Sequence, residues 1–120
     1  MNPMTRLYHR DVFWPCWVEI PKSGQPLVYS NHALTAGKDD GLGIFPNALP
    51  ETFDVVEVET VGRMPVKWTI RFTHPTKPDR DVVIVLNRTF NPKGQNVRTV
   101  WVNSKTDTHK TLFKSRYAMV

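Results

Sequence analysis

Residues 66 to 73 read VKWTIRFT, and this octet constrains the fold more than any other stretch. Val66, Trp68, Ile70 and Phe72 alternate with Lys67, Thr69, Arg71 and Thr73. Successive side chains of a strand point to opposite faces, so a period of two gives one apolar face and one polar face. A strand of this kind needs paired neighbours and a layer over its apolar side. The neighbours are legible. FDVVEVETV alternates over Val56, Val58 and Thr60, and VRTVWVN forms the last clear extended run. DVVIVLN is apolar almost throughout, as expected of a central strand covered on both faces. GRMP, HPTKPDR and RTFNPKGQN separate these runs as turns or loops. The short links predict a four-stranded antiparallel meander, with strands at about 53–61, 66–73, 81–87 and 97–103.

The front half supplies the cover. Ten prolines argue against long helices and for shaped loops. LVYS reads as a short extended piece. SNHALTAGKDDG predicts a short helix over about 31–37, with Ser30 or Asn31 as its cap and Gly37 at its end. VFWPCWVEI is aromatic and interrupted by Pro15. The fold class is therefore α+β: the meander packed against the short helix and an aromatic N-terminal segment. The 120 residues suit a single domain, with 27–120 as the core and 1–26 as a candidate N-terminal extension.

Several functional classes find no support. Cys16 is the one cysteine, so no internal disulfide forms, and its apolar neighbours favour a small buried hydrophobe over a reactive thiol. No run approaches the ~18 apolar residues of a membrane span. The opening MNPMTRLYHRDVF lacks the apolar core of a signal peptide, so the expected location is cytoplasmic. His9, His32, His74 and His109 are scattered, and no metal site is expected. Phosphate-loop, dinucleotide and serine-hydrolase motifs are lacking, and no cofactor is expected.

Charge points elsewhere. The chain carries +5, and residues 88–120 hold seven basic side chains against Asp107 alone, whereas residues 1–87 hold nine basic and ten acidic. The sharp reading of an excess gathered in one third is a polyanion partner such as RNA or DNA; the plainer reading is a basic surface of the kind many small proteins have. Lys67, Thr69, Arg71 and Thr73 form a polar stripe that Arg98 can join if the register allows. Cations on a sheet face hold phosphate through charge-assisted hydrogen bonds; the plainer reading is solvated strand polarity. His109 lies beside Lys110 and Thr111, and imidazole titrates near neutrality, so it is the candidate general acid or base; the plainer reading is a surface histidine in a polar loop. His32 is a second such group, and Arg71 is the cation for a phosphorane. Lys67, Arg98, Lys110, Thr111, Lys114 and Arg116 are the candidate substrate contacts. Trp101, Phe113 and Tyr117 interleave with these cations and could stack bases, although for Trp101 core packing is the stronger reading.

YSNHAL opening a short helix, then a meander, then a basic C-terminal end resembles the superfold of small RelE-type and colicin D-type ribonuclease toxins. It also resembles small phage and bacterial domains that share a His-Ala helix start and a late W-[VL]-N … D-x-H-x-T-L … S-x-Y stretch. Here these are His32 and Ala33, then Trp101, Val102 and Asn103, then Asp107, His109, Thr111, Leu112, Ser115 and Tyr117. The resemblance spans about residues 27–117 and implies an RNA-directed protein acting as a metal-independent endoribonuclease. The alternative expectation is a non-catalytic phage or bacterial protein that binds and modulates a host protein, with Trp14 and Trp17 as its contacts.

Overall fold

The structure is a computed structural model that describes residues 21–61, 64–89, 91–104 and 106. The elements are β1 (Leu27–Tyr29), α1 (Asn31–Asp39), β2 (Asp54–Val61), β3 (Met64–Thr73), β4 (Arg80–Asn87) and β5 (Gln95–Ser104). They form a small α+β domain whose five-stranded sheet runs β1-β5-β4-β3-β2. Strands β2 to β5 pair antiparallel in chain order, as the short links require. The expected four-stranded antiparallel sheet is nevertheless incomplete. LVYS adds a fifth strand, parallel to β5 through Leu27↔Gln95, Val28↔Asn96 and Tyr29↔Val97, so the sheet is mixed. The candidate segment with Trp14 and Trp17 lies outside the described residues.

β4 is the middle strand, and Val82, Val83, Ile84 and Leu86 are fully buried, which is why its run does not alternate. Along β3 the expected parity holds: Trp68, Ile70 and Phe72 join the core. Two neighbours break parity in a specific way. Val97 and Val100 are both in the core although three residues apart, and so are Val55 and Val58. A register shift opposite Val85/Leu86 inserts Arg98 as an extra residue, and a shift between Val55 and Glu57 inserts Val56. Each bulge resets which side chains face inward. Pro65, which has no N–H to donate, sits in β3 beside a third shift, at Glu59/Thr60.

α1 covers the core face, where Ala33 is fully buried with Val97 and Val100. Ser30 caps it: its Oγ accepts from the Ala33 N–H at 3.0 Å and donates to the Arg98 carbonyl at 3.2 Å, which ties the helix start to the bulge. The helix does not end at Gly37. It runs two residues further and closes at Gly41 (φ +77°), where the Gly41 N–H bonds the Lys38 carbonyl and the Leu42 N–H bonds the Gly37 carbonyl. Gly37 serves packing instead. A Cβ there would stand 2.7 Å from the Phe45 ring, which meets the Tyr29 ring edge-on at 5.1 Å. Gly37→Ala is therefore expected to lower stability by about 1–3 kcal/mol, despite a helix-propensity gain of ~1 kcal/mol. Urea denaturation checks this, and a raised midpoint would show that the Phe45 ring yields freely.

Candidate functional site

The second face of the sheet carries the polar side chains, and strand register sorts them. The pairings Glu59↔Lys67, Lys67↔Asn87, Asn87↔Asn96 and Asn96↔Val28 run straight across all five strands. Each of these residues follows or precedes a core residue, so all five project from the face opposite the core. The row forms the floor of an open groove at one end of the sheet. Over β2 to β5 its cleft measures about 470 Å³ and is walled by Arg88, Thr89 and Arg98. A second cleft of about 360 Å³ continues from Asn87, Thr89 and Arg98 towards Val28 and Tyr29 on β1.

The groove's cations are held differently. Lys67 Nζ lies 3.2 Å from a Glu59 carboxylate oxygen, with both side chains more than a third exposed. An exposed pair of this kind contributes about 0–1 kcal/mol, so an incoming anion can replace the carboxylate. Arg88 borders the cleft, but its guanidinium turns to the core side: Nε donates to the Pro65 carbonyl, and the group stacks over the Trp68 ring at 5.5 Å, so Lys67 and Arg98 are the cations that face the groove. Arg98 is exposed on the bulge, and its side chain makes no hydrogen bond or ion pair with another described residue. Asn96 is engaged at both ends of its amide, donating to Thr89 and accepting from Asn91. Asn87 accepts from the Thr89 N–H, which leaves its amide nitrogen as a donor. The groove thus offers mainly donors and positive charge, a chemistry for phosphate oxygens.

The remaining sequence candidates fall in different places. Lys67 and Arg98 meet in the groove although a strand lies between them. Arg71 does not join them. It is buried towards the far end of the same face, where its Nε donates to Asp81 at 2.7 Å and its Nη2 to the Ser104 carbonyl at 2.9 Å. His32 is exposed on α1, the helix over the opposite face, so His32 and Arg71 do not share a cleft. His109, Lys110, Thr111, Lys114 and Arg116 lie outside the described residues. His74 is a structural group: Nδ1 accepts from the Thr76 and Lys77 N–H groups, so Nε2 carries the proton and donates to the Leu42 carbonyl at 3.1 Å. Burial pushes the Tyr29 phenol up from its ordinary value, which keeps it protonated as the donor to the Pro46 carbonyl at 2.6 Å.

Sequence reading passes over Glu59, Asn87, Arg88 and Asn96. The available signal is positional for three of them: Glu59, Asn87 and Asn96 adjoin Val58, Leu86 and Val97, the outermost core residues at that end of their strands. The described residues contain no group of His, Cys, Asp and Glu able to hold a metal ion, and no described helix is long and apolar enough to cross a membrane. Comparison with family models, curated proteins and solved structures finds no match.

Proposed function

We propose that the protein binds RNA through the groove at this end of the sheet. The observation that carries the reading is the cross-strand row in which Lys67 stands beside Glu59, with the exposed Arg98 in the same groove. Phosphate contacts of this type supply most sequence-independent affinity for nucleic acid. The overall charge of +5 adds to the attraction at longer range. Glu59 opposes it, because its carboxylate already occupies Lys67.

Two substitutions therefore act in opposite directions. Arg98→Ala weakens retention of a single-stranded RNA by roughly fivefold to tenfold, and Glu59→Gln strengthens it severalfold at low salt. Filter binding of both variants beside the wild type measures this. Equal retention by all three would sink the groove as the RNA site. The groove's described residues include no imidazole, so the retained RNA is expected to be recovered intact. Cleavage that survives EDTA and disappears in His109→Ala would instead favour a metal-independent endoribonuclease.

A further inference from the structure

The groove has two chemistries along its length, and they meet at one seam. Towards β2 lie the cations Lys67 and Arg98, with Glu59 beside Lys67. Towards β1 the lining is mostly apolar, and Val28 is the apolar side chain that projects from the groove's face, with Ser30 and Asn96 at the margin; Tyr29 and Val97 border it but pack with the core. Asn87, Thr89 and Arg98 belong to both halves. At this seam the groups left available are donors, the Asn87 amide nitrogen and the Arg98 guanidinium.

A bare anion satisfies only the basic half and leaves the apolar half wet. A neutral apolar ligand fills the other half and leaves the guanidinium without a partner. The two halves together fall within the size of ordinary small-ligand sites. They match a molecule with a flat, largely apolar body and an anionic head. On the reading that the groove takes RNA, we infer that it seats one nucleotide unit. The phosphate lies at Arg98 and Lys67, and the base lies against the Val28 end.

Register supports this assignment, because Val28 and Lys67 occupy the same cross-strand row with only Asn87 and Asn96 between them. Neighbouring strands lie ~4.8 Å apart, so Val28 and Lys67 are about 14 Å apart, the scale of an extended nucleotide with its contacts. In a duplex the base faces are stacked on one another and cannot enter such a recess, so the site selects single strands.

Competition against a labelled single-stranded RNA tests the inference. The competitors are adenosine monophosphate, adenosine, inorganic phosphate and a duplex of the same sequence. The monophosphate is expected to displace the RNA at a concentration at least about tenfold below either adenosine or inorganic phosphate. Val28→Thr, which keeps the strand-favouring branched shape, is expected to raise the monophosphate concentration required by about threefold or more and to leave phosphate unchanged. Equal potency of monophosphate and inorganic phosphate would overturn the nucleotide seat while RNA retention left the polyanion reading standing. If no RNA is retained, calorimetric titration with adenosine monophosphate decides. Binding that is lost in Arg98→Ala would support the seat and sink the RNA reading; no binding would overturn both.

Discussion

Arg71→Met is expected to lower the stability of the domain by about 3–5 kcal/mol, close to the whole margin of a small protein. Arg71 and Asp81 are both nearly buried, and a 2.7 Å contact joins them. The pair sits diagonally across β3 and β4, since Arg71 is in register with Val83 and Asp81 with Thr73. The second guanidinium bond, to the Ser104 carbonyl, extends the tie to the end of β5. Removing the arginine takes the 2.7 Å charged partner from a buried carboxylate, which costs far more than the pair contributes when intact. Arg71→Met combined with Asp81→Leu is therefore expected to recover most of the loss, as a double-mutant cycle in urea would show. A single variant that loses under about 1 kcal/mol would mean that water reaches the pair. Where Arg71→Met remains folded, its RNA retention is expected to match the wild type, because the groove lies at the other end of the face.

Gly94→Ala is the second large effect, at about 2–4 kcal/mol. Gly94 has φ +146°, and a Cβ there would stand 2.3 Å from the Pro26 carbonyl oxygen. The obstacle is backbone, so no side-chain rotation relieves it. The same Pro26 carbonyl accepts the Gln95 N–H at 2.8 Å, the bond beside which β1 enters the sheet at Leu27↔Gln95. The alanine variant must therefore strain its own backbone and push β1 away from β5. Hydrogen exchange is expected to show loss of protection concentrated on Leu27–Tyr29. A uniform change across all strands would contradict this localisation.

Legibility in the sequence followed the strength of local signals. The clean alternation of residues 66–73 places Trp68, Ile70 and Phe72 in the core because a period of two leaves no other face for them. β1 has three residues, too few for any period, and its partner β5 lies more than sixty positions away. The mixed sheet was hidden for that reason. Arg71 looked like a surface cation in the polar stripe. Its burial depends on Asp81 standing diagonally across the hairpin, which only the register reveals. Lys67 and Arg98 were legible as cations but not as neighbours. Their meeting depends on an intervening strand and on the bulge that breaks the parity of β5. Arg88 was lost in a stretch read as loop, although it immediately follows β4 and caps the Trp68 ring.

The central claim is that the cations of this groove contact RNA phosphates. It is tested most directly by the salt dependence of RNA binding for the wild type and Arg98→Ala. Plotted as log K against log salt concentration, the wild-type slope is expected to be steeply negative. The Arg98→Ala slope is expected to be shallower by about 0.7, the increment for one single-strand phosphate contact. Parallel lines for the two proteins would contradict the assignment of Arg98 to a phosphate.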